Sequence, residues 1–229
     1  MGSTQDKAIL AAHNNADLCG AIMAASGVST ERDELTYFCI DTPLPYYPKI
    51  VTLEPSSSSE LNYRVRGHSG IKDSFSCLDR DALDLRIAFE ASWIWADAGH
   101  REQSTKWTRI ESVHDLSNWH QAWNGNDSTL DQLIFPPKCL NDPNLVFLAR
   151  MSGTTVEAGC IANLSKDVVG MSNVFSTKSN DSLLYAEALA AVSSVGPHLP
   201  VVGYERGNDL DAACRAGFKV IGPLRILVR

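Results

Sequence analysis

Six histidines and six cysteines are the side chains of this 229-residue chain best suited to metal or nucleophile chemistry, and their spacing argues against both. His13, His68, His100, His114, His120 and His198 form no HExxH and no close Cys/His grouping, so a zinc site is not expected. Cys19, Cys39, Cys77, Cys139, Cys160 and Cys214 are far apart and make no CxxC pair, which fits reduced thiols serving as small apolar residues. There is no GxSxG elbow, no GxxxxGKS phosphate loop and no GxGxxG turn. Ser, His and Asp are numerous enough that a triad drawn from them carries no weight. Trp107, Trp119, Trp123 and Phe135 resemble a ligand cage in composition, but they lie on amphipathic elements, where core packing is the better reading.

The elements that would have to position any site are clearest from Asn144 to Arg229. Three apolar runs, Leu145–Met151, Thr155–Leu164 and Val168–Ser176, are joined by the turn formers Ser152-Gly153-Thr154 and Ser165-Lys166-Asp167, which predicts an antiparallel meander. The period then changes. Leu183, Leu184, Ala188, Ala191, Val192 and Val195 recur at helical spacing, with Asp181-Ser182 in front as a cap and Gly196-Pro197 as a stop. A strand over Pro200–Glu205, a short helix over Asp209–Ala216 and an extended run Lys219–Arg229 complete an order in which one sheet holds both hairpins and helical crossovers.

That order, with Gly217-Phe218 closing the last short helix, resembles the GNAT superfamily of acyl-CoA-dependent N-acyltransferases. Phrases such as SNVF at Ser172–Phe175, GYERGNDL at Gly203–Leu210 and GPLRILVR at Gly222–Arg229 look like a bacterial branch of it. Upstream, Lys106–Ser112 is similar to the first strand of that fold, and Asp115–Asn124 and Thr129–Leu140 to its first two helices. The fold class this implies is α+β (mixed α/β), a twisted mixed sheet flanked by helices.

The resemblance also implies where chemistry would sit. Two neighbouring strands of such a fold splay apart, so that backbone groups without a ladder partner can hold the pantetheine arm while the next helix offers its positive N-terminus to the pyrophosphate. By position, Asn173, Val174, Phe175 and Ser176 would lie along the splay, and Lys178 and Ser182 would stand at the helix entrance. Glu205 is the expected general base and Glu157 the second choice. A tyrosine acid would fall at Ala213, where none stands, which leaves Tyr204 or Tyr185. The loop from Ser176 to Ser182 has no glycine to wrap an anion, and Asp181 would repel phosphate and cap the helix. The implied co-substrate is acetyl-CoA or another acyl-CoA with no metal, and the acceptor a small-molecule or peptide amine. The alternative is a non-catalytic GNAT-fold protein that binds acyl-CoA, another ligand or a protein partner. A structural protein using its last strand as an edge is a third reading.

The first half is less distinct. A helix over Ala8–Ala25 has an apolar stripe of Ile9, Leu10, Leu18, Ile22 and Met23, and DTPLPYYP at Asp41–Pro48 is a proline-stiffened connector before a short strand at Lys49–Glu54. Strand, polar turn and long strand over Ile71–Trp95 repeat the layout of Val201–Val228, so residues 1–98 are expected to be a partial copy of the same half-fold beside a domain over 106–229, with Gly99–Thr105 as linker. With 44% hydrophobic residues the chain can bury a sizeable core. A net charge of −7 without a basic run argues against nucleic acid. No stretch suits a membrane span or a secretory signal, so a cytoplasmic location is expected.

Overall fold

The computed structural model describes residues 2–99, 101, 107–125 and 134–229. In chain order they form α1 (Thr4–Ala25), β1 (Thr30–Arg32), β2 (Thr36–Cys39), β3 (Ile50–Thr52), α2 (Ser59–Val65), β4 (Ile71–Asp73), β5 (Arg86–Ala96), β6 (Trp107–Arg109), α3 (Val113–Trp123), a 3₁₀ turn (Pro137–Asn141), β7 (Leu145–Ser152), β8 (Thr155–Leu164), β9 (Val169–Ser176), α4 (Leu184–Val195), β10 (Val201–Glu205), α5 (Gly207–Arg215) and β11 (Lys219–Val228). The strands make one mixed sheet in the order β1-β2-β3-β4-β11-β5-β10-β9-β8-β7-β6. Only β3–β4 and β9–β10 are parallel, and each of those pairs is bridged by a helix, α2 or α4, as a parallel step requires. The α+β class with a helix-flanked mixed sheet is therefore the one observed.

Most elements of the second half begin and end within a few residues of their expected places. The helix expected over Thr129–Leu140 is not seen in its described part, which is the 3₁₀ turn begun by Pro137, and residues 126–133 lie outside the described residues. Most of the Gly99–Thr105 linker lies outside them as well. Asp181 does not cap α4: the cap position is Leu183, which offers no side-chain acceptor.

Helix α1 starts with a reciprocal cap between Ser3 and Asp6 and ends at Ser26, where Gly27 supplies a positive φ of 75°. Its sheet-facing side differs from the expected stripe. Ala8, Ala11, Ala12 and Ala16 are buried while Ile9 and Leu10 are only partly so, because small side chains let the helix settle close against the sheet. Helices α1 and α3 cover one face of the sheet, and α2, α4 and α5 cover the other. Under α3 the fully buried Trp119 meets Phe135, Phe147 and Phe175 edge to face at 5.0–5.4 Å and donates its indole N–H to Leu148 O at 2.9 Å. Trp107, Trp119 and Phe135 are core residues, whereas Trp123 is only partly buried.

At the centre of the sheet the terminal strands of the two halves change places. β5 pairs with β10 of the second half, β11 pairs with β4 of the first, and β5 and β11 run antiparallel against each other. Read from either edge, an antiparallel run, β1-β2-β3 in the first half and β6-β7-β8-β9 in the second, leads through a helical crossover to a parallel strand and then to the last strand of the other half. We propose on this basis that residues 1–98 and 106–229 are two copies of one half-fold. Expressed alone, residues 106–229 would leave β10 and β11 without the strand between them. That fragment is expected to show no cooperative thermal transition by circular dichroism, and co-expression with residues 1–98 should restore one. A fragment that melts cooperatively by itself would count against the strand exchange as a requirement.

Candidate functional site

β9 and β10 are joined at their start and separate from there. The parallel ladder between them holds only Val201 against Val169 and Val202 against Gly170. β10 then stays with β5 as far as Glu205 opposite Ser92, while β9 stays with β8 as far as Ser176 opposite Ala158. The parting has a local cause. The β8–β9 register slips between Gly159/Phe175 and Ile161/Ser172, and Asn173 sits in that bulge with a φ of 51°, a left-handed conformation that asparagine tolerates better than most residues. At Gly203 the strands are still so close that a Cβ would stand 2.7 Å from Met171 O, so glycine is required at the neck of the split.

A cavity of about 240 Å³ opens at this split. Its lining draws on both faces of the sheet: Met171, Val174 and Glu205 from the α4 side, Asn14, Lys72 and Trp93 from the α1 side. Tyr46, held at a φ of 69° in the proline-rich connector, meets Trp123 edge to face at 6.0 Å, and both line the cavity.

The expected site residues fall in different places. Glu205 lines the cavity, and burial, opposed in part by a hydrogen bond from Tyr185 and reinforced by the like charge of Asp209, pushes its carboxyl up to about 7. Tyr204 also lines the cavity but points to the other face of β10, as period 2 demands, where its ring meets Trp93 at 5.5 Å and Lys72 Nζ lies 4.3 Å from its centre. Glu205 and Tyr204 are thus not side by side. The tyrosine beside Glu205 is Tyr185, in the first turn of α4, buried and with its hydroxyl pKa raised mainly by desolvation.

Along β9, Asn173 and Val174 line the cavity, Phe175 turns away into the Trp119 cluster, and the Ser176 hydroxyl donates to Asp181 at 2.8 Å. Lys178 is paired with Glu157 at 2.8 Å, and Ser182 is exposed just before α4. Ala213 is fully buried against the α4 core, in contact with neither the cavity nor solvent. Among the described residues no group of three His, Cys, Asp or Glu could hold a metal, and no helix is long and apolar enough to cross a membrane.

Asp181 does something the sequence did not suggest. It pairs with Arg150, a residue of β7 whose side chain is 7% exposed, and Glu187 of α4 completes the clamp at 2.7 Å. Arg150 draws the Asp181 carboxyl below its ordinary range against the effect of burial, so its charge is locally balanced and presents less repulsion to an anion than a bare carboxylate. The loop from Ser176 to Ser182 is consequently tied down over a buried ion cluster.

No protein-family profile and no curated protein matches the chain by sequence. Solved structures do. The chain superposes with a TM-score of 0.55 on a protein from Novosphingobium aromaticivorans assigned to the GNAT acetyltransferases, at 10% identity over 92% of this chain and 96% of that one. A GCN5-related N-acetyltransferase from Kribbella flavida gives 0.55 at 11% identity over 93% and 94%, and a conserved protein of unknown function from Staphylococcus epidermidis gives 0.57 at 9% over 88% and 94%. This chain has the GNAT fold. Because these matches span nearly its whole length, the GNAT likeness includes the first half and is not confined to the residues after Asn144.

Replacing Asp181 with alanine in this GNAT-fold protein removes one of three carboxylates around a buried guanidinium, leaving Glu187 at 2.7 Å and Glu157 at 3.7 Å. With Glu187 still in place the expected loss is about 1–3 kcal/mol in urea denaturation, less than the roughly 3–5 kcal/mol of a fully unpaired buried charge. A loss under about 0.5 kcal/mol would mean that the clamp contributes little.

Proposed function

We propose that the protein is an N-acyltransferase that moves an acyl group from acetyl-CoA or another acyl-CoA to an amine, with Glu205 as general base. The observation that carries the reading is the parting of β9 and β10 beside a partly buried carboxylate whose pKa is raised to about 7. A carboxyl tuned to that range combines a useful deprotonated fraction at neutral pH with enough basicity to accept a proton.

The residues suit the arm of an acyl-CoA better than its phosphates. Past Val202 and Gly170 the facing edges of β9 and β10 have no ladder partner in each other, so those backbone groups of Asn173, Val174, Phe175 and Ser176 that point away from β8 are available to the arm. The α4 N-terminus lacks a side-chain cap and, with Ser182 and Lys178 nearby, is where phosphates would lie. A bound acyl-CoA supplies the activated thioester. Glu205 takes the proton of the attacking amine, the C–N bond forms as the C–S bond breaks, and the thiolate is protonated by solvent, since Ala213 stands where a tyrosine acid would be expected. Tyr185 orients the Glu205 carboxylate by its hydrogen bond.

The second reading, a non-catalytic binding protein, is favoured by the glycine-free loop, by Lys178 being engaged with Glu157 and by Ala213. Calorimetry with acetyl-CoA together with turnover against an amine panel separates the two: binding without turnover selects this one.

For the enzyme reading, Glu205→Gln is expected to lower kcat/KM by about 10²–10⁴ and to abolish a rise in rate centred near pH 7. An unaltered rate or pH profile would remove Glu205 from the role. The same variant has a stability signature. The folded-state pKa is raised, so the wild-type fold binds more protons than the unfolded chain between the ordinary glutamate value of 4.5 and about 7, and loses stability as pH rises through that window. Glu205→Gln should therefore gain melting temperature over wild type at pH 8 relative to pH 4, by the equivalent of about 1–3 kcal/mol after allowing for partial exposure.

A further inference from the structure

Three charged side chains are buried in the described residues: Lys72, Asp73 and Arg150. Two of them are matched by opposite charge. Asp73 accepts from Arg225 at 2.8 Å and from the backbone N–H groups of Cys77 and Leu78, and Arg150 is held by Asp181 and Glu187. Lys72 is 3% exposed and, among the described residues, has no carboxylate within ion-pair distance. Its ammonium donates to Asn15 Oδ1 at 2.6 Å and lies over the Tyr204 ring, so among the described residues at least one of its three N–H donors is left over.

Lys72 also lines the cavity at the split, where it is the one cation among the described lining residues and Glu205 is the one carboxylate. An unmatched buried ammonium beside an open cavity is costly unless a ligand completes it. The two charges reach the cavity from opposite faces of β10 by way of adjacent residues: Tyr204 carries Lys72 on its ring, and Glu205 follows it. A ligand spanning them needs an anionic group for Lys72 and a proton-bearing amine for Glu205. We infer that the acyl acceptor is an amine that also carries a carboxylate, of the size of a free α-amino acid, and that Lys72 binds that carboxylate. This rests on the acyl-transfer reading for the amine and on the cavity alone for the carboxylate. The bond changes are those already given, the acceptor's carboxylate remaining ionised throughout. The aromatic mouth formed by Tyr46 and Trp123 would face the acceptor's side chain and favour apolar over charged ones.

The test compares free amino acids with their amides and their decarboxylated amines as acceptors, with acetyl-CoA as donor. Wild type should prefer the acid over the amide by about 10- to 100-fold in kcat/KM, the range a charge-assisted hydrogen bond gives. Lys72→Met, a swap of similar length that removes a buried charge, should bring that ratio to about 1, and Lys72→Gln serves if the first variant does not melt cooperatively. Calorimetry with N-acetyl amino acids and their methyl esters reads the carboxylate site without turnover and should show the same preference in wild type and its loss in the variants. Turnover with no preference for the acid, or a preference that survives both substitutions, overturns the inference while leaving acyl transfer intact. Lys72-dependent binding of the carboxylate without turnover of any amine supports the anion site and instead sinks the acyl-transfer reading.

Discussion

The structure depends on β9 and β10 each having a stronger commitment elsewhere than to one another. Two parallel strands that begin side by side would ordinarily continue their ladder, because every unpaired buried N–H and C=O is costly. Here β10 is held along its length by β5 and β9 is held by β8, so neither backbone is destabilised as a strand when the ladder between them stops after two pairs. The bulge at Asn173 adds the bend that turns β9 away, and Gly203 sets how close the neck can be. The opening is therefore a product of sheet topology and does not rely on a flexible loop.

The exchange of terminal strands follows from the same arrangement. If β10 were an edge strand it would expose a ladder to solvent on one side and a split on the other. β5 removes the first problem, and β11 in turn gives β5 its second neighbour and closes on β4. The first half is then part of the site's framework: α1 lies over the split, and β4 brings Lys72 into the cavity. A reading centred on the second half assigns it only support. The cavity wall shows that the half with the fainter sequence signal supplies much of the side-chain chemistry facing a ligand.

Legibility in the sequence tracks how local the determining interaction is. The meander from Leu145 to Ser176, helix α4 and strands β10 and β11 were readable because apolar period and turn residues are encoded within each segment. The separation of Glu205 from Tyr204 follows from period 2, yet no local pattern singles out Tyr185, whose proximity to Glu205 depends on how α4 seats against β10. Asp181 looked like a cap because Asp before an apolar helical run usually is one. Arg150, 31 residues upstream in sequence, takes its carboxylate instead. Lys72 carried no signal at all, since its meaning comes from what is missing around it in space.

The clamp on Asp181 changes how the loop before α4 is to be understood. A loop that binds phosphate closely relies on exposed backbone N–H groups and on glycines that clear side chains out of the way. This loop has no glycine and is fixed from below: Ser176 and Arg150 both reach Asp181, while Lys178 bends to Glu157 on β8. Two basic side chains that could have met a pyrophosphate are thus engaged with carboxylates of the same surface. What is left for an anion is the uncapped first turn of α4, whose N–H groups keep their partial positive charge because Asp181 points at Arg150 and away from them. The fold keeps one of the two physical features that attract phosphate and has given up the other, so under the proposed function the grip on an acyl-CoA would come mainly from the slot between β9 and β10.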